Sequence, residues 1–282
     1  MRLIAHLSDL HFGRVDPAIP PALTAALAEA RPHLVVVSGD LTQRARESEF
    51  RDARRFLAAL PQPQIVVPGN HDVPLHNLLA RWLTPLTRFR RHITGDLEPF
   101  YADAEMAVLG INTARANTFK NGRVNAGQIV RSCGRFAVCG PAVTRIVVTH
   151  HPFDLPESAD EASLVGRARM AMAGFAGSRV DVVLSGHLHG GSAGDSVARY
   201  GASSRAVLLV RAGTAASTRR RGEVNSFNFL RVEGARVRVE RMAWDSAREI
   251  FASARTDVFD RAGDAWARVR ESGGGVRPGV RP

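Results

Sequence analysis

The sequence contains very little lysine and few aromatic residues. Lys120 is the only lysine among 282 residues, and aromatic residues account for 6%. No apolar run is long enough to cross a bilayer, and the first residues lack the regions that make up a signal peptide. These absences argue against a membrane-spanning or exported protein. We expect a cytoplasmic chain that starts at Met1 and uses its 45% hydrophobic content to build a core.

Cysteine is equally scarce. Cys133 and Cys139 lie in one stretch, and their spacing fits neither a CxxC redox motif nor a zinc ribbon. Two thiols do not make a disulfide framework in a chain of this size, so reducing surroundings are the simpler assumption. We expect both to behave as small hydrophobic residues.

The positive charge is almost entirely arginine. The formal net charge is +11, and the planar guanidinium suits phosphate groups, so an anionic substrate or nucleic acid is one interpretation. The arginines are, however, spread along the chain and interleaved with Asp and Glu, which favours solvated faces. The scarcity of aromatic side chains also argues against a surface for single-stranded nucleic acid.

Short Val-rich runs alternate with amphipathic segments in the first two thirds of the chain. The runs predicted to be strands are residues 2–8, 33–39, 64–69, 106–113, 145–150 and 181–186. The segments predicted to be helices are 21–30 and 47–60. Such alternation is typical of βαβ units with a parallel sheet buried on both faces, and so predicts an α/β protein.

The last third has a different pattern. Residues 206–213, 225–232 and 235–244 read as strands joined by tight turns. We predict a single domain over 1–250, in which the Arg-rich segment 84–100 is a possible cap-like insertion. A helical segment is predicted for 251–270 and a disordered tail for 271–282, which is rich in Gly, Pro and Arg.

Five of the predicted strands end in residue types that bind metal ions. These residues are Asp9, His11, Asp40, Asn70, His71, Asp72, His150, His151, His187 and His189. In open α/β sheets the carboxyl ends of parallel strands lie along one edge, where ligands bind. We therefore expect these side chains to gather in one crevice.

The donor set predicts a pair of metal ions. Seven of these residues are predicted as metal ligands, and they offer oxygen and nitrogen but no thiolate: Asp9, His11, Asp40, Asn70, His150, His187 and His189. Seven ligands are too many for one tetrahedral zinc ion but suit two ions that share a carboxylate. Two such ions can clamp the attacking and leaving oxygens of a displacement at phosphorus. Imidazole and carboxylate ligands are compatible with Mn, Fe and Zn.

These motifs closely resemble the calcineurin-like dinuclear metallophosphoesterases. That superfamily carries D-x-H, G-D, G-N-H-D/E, H and G-H-x-H in this order, as do residues 9–11, 39–40, 69–72, 150 and 186–189 here. The resemblance implies a four-layer α/β/β/α sandwich of two mixed sheets flanked by helices. It also implies a hydrolase that attacks phosphorus with a metal-bridging hydroxide and forms no covalent intermediate.

The resemblance assigns roles to individual residues. Asp9, His11, Asp40 and His189 would bind the first metal ion, and Asp40, Asn70, His150 and His187 the second. Of the pair His150 and His151, the first is the expected ligand, because family members carry H-x-P there and Pro152 fits. His71 would contact the phosphoryl group and protonate the leaving oxygen. Asp72 would then hold His71 in its working tautomer.

Several motif residues differ from those of other branches of this superfamily, which limits the branches that the chain resembles. The Ser/Thr protein phosphatases extend the second motif as G-D-x-V-D-R-G, whereas this chain has GDLTQRA. Gln43 occupies the position of the metal-binding tyrosine of purple acid phosphatases. His71 stands where lipid A precursor hydrolases carry arginine. The stretches SDLHFG, GDLTQ and GNHD are similar to the bacterial cyclic-nucleotide phosphodiesterase-like branch.

The favoured function is therefore hydrolysis of a small phosphodiester or nucleotide, of the cyclic-nucleotide type or another. The alternatives are a nuclease acting on DNA or RNA, a phosphomonoesterase and a nucleotide or lipid pyrophosphatase. A non-catalytic scaffold, like the retromer subunit that keeps this fold, would lack ligands that are present here. Arg219, Arg220 and Arg221 could supply charge beside the substrate, although a solvated turn is favoured there. The oligomeric state is left open.

Overall fold

The computed structural model describes residues 1–75, 77–118, 120–156, 160–201, 205–219 and 222–269. The strands are β1 Arg2–Leu7, β2 Leu34–Val37, β3 Gln64–Val66, β4 Phe100–Ala102, β5 Met106–Gly110, β6 Thr144–Val148, β7 Val182–Ser185, β8 Ser192–Asp195, β9 Leu208–Arg211, β10 Ser226–Glu233, β11 Arg236–Asp245, β12 Ile250–Ala262 and β13 Ala265–Val269. The helices are α1 Ile19–Ala30, α2 Glu47–Ala59, α3 Leu78–Leu83, α4 Thr87–His92, α5 Ala126–Ala137, α6 Ala168–Gly177 and α7 Val197–Tyr200. Two turns of 3₁₀ helix lie at Asn70–Asp72 and Glu161–Ser163.

The strands form two mixed sheets. The first has the order β13-β12-β11-β10-β1-β2-β3 and the second the order β4-β5-β6-β7-β9-β8. Strands β1, β2 and β3 are parallel, as are β5, β6, β7 and β9, while the outer strands pair antiparallel. Each sheet therefore contains a group of parallel strands whose carboxyl ends lie at one edge of that sheet.

The alternation of side chains within each strand separates three apolar layers. In β2, Leu34 and Val36 pack between the two sheets, whereas Val35 and Val37 face the helices that cover the first sheet. Helices α5 and α6 cover the other face of the second sheet through residues such as Phe136 and Phe175. Strands buried on both faces need continuous hydrophobic runs, which explains why the sequence shows them. The predicted four-layer α/β/β/α sandwich is confirmed.

The helical segment predicted for 251–270 is wrong. These residues form β12 and β13, which extend the first sheet by pairing antiparallel with β11 and with each other. Ala and Arg favour helices in isolation. The edge of β11 that faces away from β10, however, carries backbone groups that need hydrogen-bond partners, and β12 pairs with β11 along the whole length of β11. Phe259 and Trp266 then enter the layer between the sheets. The tail predicted for 271–282 lies outside the described residues.

The Arg-rich segment 84–100 contains α4 and the start of β4. Phe89 is fully buried in the core beneath the first sheet, and Arg88 donates a hydrogen bond to the Ala45 carbonyl at 2.7 Å. His92 Nε2 lies 2.6 Å from a Glu47 carboxylate oxygen. The segment is thus packed against α2, and its role as a cap stays a prediction. Across the described ranges, every helix is too short or too polar to span a bilayer.

The C-terminal strands should contribute to global stability. Replacing the buried Phe259 by Ala removes a ring from the layer between the sheets, so we expect a loss of about 3–5 kcal/mol in the free energy of unfolding. Ile250→Ala on the same strand is the control, since Ile250 is 38% exposed. Urea denaturation of both variants measures the difference. Equal, small losses would contradict the structural role of β12.

Candidate metal centre

The predicted ligands lie immediately after strand ends. Asp9 and His11 follow β1, Asp40 follows β2, and Asn70 begins the 3₁₀ turn after β3. His150 follows β6, and His187 and His189 follow β7 in the second sheet. Backbone hydrogen bonds join the first two loops, from the amide of Asp9 to the Gly39 carbonyl at 3.1 Å and from the amide of His11 to the Asp40 carbonyl at 2.9 Å.

Five of these residues have a left-handed backbone. The φ angles are +52° at Asp9, +51° at His11, +53° at Asp40, +75° at His187 and +64° at His189. Non-glycine residues rarely adopt this region, and such strain is concentrated at functional sites. The strands end in sharp turns that direct each side chain back toward the shared edge.

Two glycines allow the loops to approach each other closely. A Cβ at Gly69 would lie 2.1 Å from Asp40 Oδ1, and one at Gly186 would lie 1.7 Å from Ser8 Oγ. Neither position can accept a side chain without moving Asp40 or Ser8. Ser8 in turn donates a 2.6 Å hydrogen bond to Asp9 Oδ2, so these glycines help to place the two carboxylates.

Backbone carbonyls orient three of the imidazole rings. His11 Nδ1 lies 3.3 Å from the Thr42 carbonyl, His150 Nδ1 lies 2.8 Å from the Ser38 carbonyl, and His189 Nδ1 lies 2.9 Å from the Arg219 carbonyl. A carbonyl oxygen can only accept, so each Nδ1 carries the proton and each Nε2 presents a lone pair. This arrangement is typical of histidines that bind metal ions.

The first group of lone pairs surrounds one small space. His11 Nε2 and His189 Nε2 face each other at 3.3 Å, and Asp9 Oδ1 lies 3.5 Å from the first and 3.3 Å from the second. Asp9 Oδ1 is buried and has no hydrogen-bond donor among the described residues. Four ligands about 2.1 Å from one tetrahedral cation lie about 3.4 Å apart. The spacing therefore fits a cation between these atoms.

A second group lies on the other side of Asp40. His150 Nε2 is 3.2 Å from Asn70 Oδ1 and 3.2 Å from His187 Nδ1. Asp40 Oδ2 lies 3.4 Å from His150 Nε2 and 3.7 Å from His11 Nε2 in the first group. One carboxylate oxygen is thus within reach of both groups, as a bridging ligand would be.

The electrostatics of the centre favour positive charge. Burial disfavours ionisation of Asp9 and Asp40, but the neighbouring histidines hold the pKa of both carboxyls below the usual value. Burial alone would lower the pKa of His150, yet the adjacent Asp40 carboxylate raises it to about 9. Two buried carboxylates thus provide the negative charge that a pair of cations would neutralise.

His151 differs from its neighbour His150. Its Nδ1 lies 2.8 Å from Thr113 Oγ1, and its Nε2 lies 3.0 Å from the Lys120 carbonyl. The carbonyl can only accept, so Nε2 carries the proton and Nδ1 accepts from the threonine hydroxyl. Both nitrogens of His151 are engaged by protein groups, which supports the choice of His150 as the ligand.

The predicted contact between Asp72 and the His71 ring is wrong. The Asp72 carboxylate accepts hydrogen bonds from the amides of Leu41, Thr42 and Gly69 and from Thr42 Oγ1, at 2.9–3.2 Å. These bonds fasten the 3₁₀ turn to the loop after β2. The His71 ring is oriented by the Gln43 carbonyl, which lies 2.8 Å from Nδ1.

The space above the donors is a cavity of about 190 Å³, lined by Asp40, Asn70, His71, Leu75, Lys120, His187, His189 and Arg219. Arg219 was considered from the sequence, whereas Leu75 and Lys120 were missed. Arg219 Nη1 lies 3.0 Å from His71 Nε2. Arg220 and Arg221 lie outside the described residues. The one signal that could have singled out Lys120 is that a chain rich in arginine contains it as its sole lysine.

Comparison with known proteins identifies the class of this fold and site. The family model described as calcineurin-like phosphoesterase matches residues 2–191, which is most of the chain. The chain therefore belongs to the calcineurin-like phosphoesterases, a family of dinuclear metal-dependent hydrolases.

One curated relative and several solved structures are similar. The glycerophosphodiester phosphodiesterase GpdQ of Enterobacter lignolyticus (strain SCF1) is 38% identical over 81 residues, which cover 25% of this chain and 29% of the relative. The chain thus matches less than a third of that relative's length.

The structural neighbours agree in fold. The structure of PhoD has a TM-score of 0.70 at 10% identity, covering 98% of this chain and 73% of PhoD. A dimetal phosphatase from Danio rerio has a TM-score of 0.60 at 13% identity, covering 89% of this chain and 98% of that chain. At such low identity the likeness establishes the fold alone.

Loss of the shared carboxylate should empty part of the centre. Asp40→Asn removes the negative charge from the side chain whose oxygen lies between the two groups, and so weakens its binding of metal ions. After reloading with Mn we expect at least one fewer ion per chain than in the wild type. Asp52→Asn, at an exposed position on α2, is the matched control. Elemental analysis by mass spectrometry counts the ions, and full occupancy in Asp40→Asn would disprove the bridging assignment.

Proposed function

We propose that this protein hydrolyses small phosphodiesters with two bound divalent metal ions. The observation that carries the proposal is the convergence of imidazole nitrogens, carboxylate oxygens and the Asn70 amide oxygen from five strand-end loops on two spaces that share Asp40. Asp9, His11, Asp40 and His189 would hold one ion, and Asp40, Asn70, His150 and His187 the other. When bound, such a pair supplies Lewis-acid charge at the phosphoryl group and activates water at neutral pH.

His71 is proposed to act on the leaving group. Its Nδ1–H is engaged by the Gln43 carbonyl, so Nε2, which lies 3.0 Å from Arg219 Nη1, is the atom that would exchange a proton in the cavity. Burial, opposed in part by the Asp40 carboxylate, lowers the pKa of His71. Asp72 is proposed to act indirectly, because its carboxylate positions the turn from which Asn70 and His71 project.

The cavity lining supports direct attack by water. Among the described residues that line it there is no serine, threonine or cysteine that could serve as a nucleophile. The volume of about 190 Å³ is below that of most small-molecule sites, at roughly 300–1,000 Å³. A small diester fits this space better than a large ligand held in a deep pocket.

The similarity to GpdQ supports a diester over a monoester. That relative is named as a glycerophosphodiester phosphodiesterase, and the 38% identity extends over 81 residues. We accordingly favour a small phosphodiester as the substrate class and Mn, Fe or Zn as the metals, which N and O ligands of this kind accept.

A comparison of two chromogenic substrates tests the reaction class. Protein stripped of metal and reloaded with Mn should hydrolyse bis-(p-nitrophenyl) phosphate with a higher kcat/KM than p-nitrophenyl phosphate. The metal-stripped protein is the control and should be inactive on both. A clear preference for the monoester would replace phosphodiesterase by phosphomonoesterase.

Removal of the proposed proton donor should separate catalysis from metal binding. In His71→Ala we expect kcat on the diester to fall by about 10²–10⁴-fold, the usual contribution of a positioned acid, while the metal content stays at the wild-type level. His33→Ala removes an exposed histidine outside the centre and serves as the control. If His71→Ala loses both metal ions, the ring is needed to build the centre and its role as a proton donor fails.

A further inference from the structure

Two cationic side chains border the cavity without belonging to the predicted metal ligands. Lys120 lies in the loop between β5 and α5, and Arg219 lies in the loop between β9 and β10. The two loops approach the cavity from separate parts of the chain. Asp40, the one carboxylate among the described lining residues, faces the proposed metal positions instead.

The backbone of Lys120 is fixed although its side chain is exposed. Its carbonyl lies 3.0 Å from His151 Nε2, and the His151 ring packs against the His187 ring with centroids 4.8 Å apart. A Cβ at Gly122 would lie 2.1 Å from His151 Nδ1, so the loop can take this path only with glycine there. The position of Lys120 is therefore set by the same buried layer of histidines that forms the centre.

The position of Arg219 is likewise fixed by contacts with histidines of the candidate metal centre. Its carbonyl accepts a hydrogen bond from His189 Nδ1 at 2.9 Å, and its amide donates to Ser217 Oγ at 3.1 Å. The guanidinium Nη1 reaches 3.0 Å from His71 Nε2. Because this nitrogen of His71 is an acceptor, an anionic oxygen could replace it as the partner of Arg219.

The positive charges of Lys120 and Arg219 are additional to those needed to bind a diester with a single negative charge. A phosphodiester carries one negative charge, and the proposed metal pair would supply the positive charge that matches it. A carboxylate or phosphate on one of the two alcohols would lie against the part of the cavity lining that contains Lys120 and Arg219, where an ammonium and a guanidinium group provide matching donors. Leu75, 37% exposed, gives the same wall an apolar portion that could contact the carbon skeleton of that alcohol.

We propose that Lys120 and Arg219 form an anion subsite in the cavity lining, which selects phosphodiesters bearing a second anionic group on one alcohol. This inference rests on the proposed phosphodiesterase activity. It names a substrate class, diesters with an additional carboxylate or phosphate, and assigns selectivity to two residues outside the metal centre.

A matched pair of substrates tests the selectivity. The diesters 4-nitrophenyl phenyl phosphate and 4-nitrophenyl 4-carboxyphenyl phosphate release the same phenol and differ in one carboxylate. For the Mn-loaded wild type, the ratio of kcat/KM for the carboxylate diester to kcat/KM for the diester without the carboxylate should exceed one. Lys120→Met should lower this ratio about fivefold, the size expected for a partly exposed charge pair. Arg219→Met should lower it similarly.

Two control variants accompany these measurements. Lys120→Arg keeps the positive charge and should therefore keep the kcat/KM ratio at the wild-type value. If the lysine side chain had only a structural role, this charge-conserving substitution would not be expected to preserve the ratio. Arg55→Met removes a charge from an exposed position on α2 and should leave the ratio at the wild-type value. If Lys120→Met or Arg219→Met lowers kcat/KM for both diesters by the same factor, that residue does not belong to an anion subsite.

Because Lys120 is the sole lysine, its chemical labelling provides a second measurement of ligand binding that does not depend on the rate of hydrolysis. Acetylation by an N-hydroxysuccinimide ester can be followed by mass spectrometry at Lys120, with the amine of Met1 as internal reference. We expect 4-carboxyphenyl phenyl phosphate to slow the labelling of Lys120 and diphenyl phosphate not to slow it. Protection without hydrolysis of either diester would support the subsite and refute the proposed function. Hydrolysis with an unchanged ratio and no protection would refute the subsite alone.

Discussion

Lone pairs that converge on a buried space are the constraint on which the centre depends. His11, His150 and His189 each donate their Nδ1 proton to a backbone carbonyl, so their Nε2 lone pairs point inward. The carboxylates of Asp9 and Asp40 point to the same region. Such an arrangement is repulsive without positive charge among the donors, and the pKa of about 9 at His150 reflects this demand. Bound cations would relieve this repulsion and would join loops from both sheets.

The two sheets provide the rigidity that this arrangement requires. Strands β1, β2, β6 and β7 are buried on both faces, so their carboxyl ends cannot shift without disturbing three apolar layers. The left-handed turns that follow them store strain, which the packed strands can support. Gly69 and Gly186 then let neighbouring loops approach within a distance that any side chain would prevent. The geometry of the donors is therefore a property of the whole sandwich.

The proposed functions of metal binding and substrate selection fall on different side chains. Leu75 lies in the same connection as Asn70 and His71, whereas Lys120 and Arg219 lie in connections that contain no predicted metal ligand. Loops of this kind can vary while the scaffold is retained. The similarity to PhoD and to the Danio rerio phosphatase, at 10% and 13% identity, concerns the fold alone. The selectivity of this protein must therefore be sought in its own loops.

The sequence alone determined the class of fold, because buried parallel strands need continuous apolar runs. It also predicted which polar residues would gather at one edge, because residues that follow parallel strands lie at the same end of a sheet. It could not determine that 251–270 forms strands, since local helix propensity is outweighed by the open edge of β11. Nor could it show that Gln43, and not Asp72, orients the His71 ring. The places of Lys120 and Arg219 beside the cavity were also decided by tertiary structure. Contacts between distant loops depend on how the sheets pack, and no local pattern records that packing.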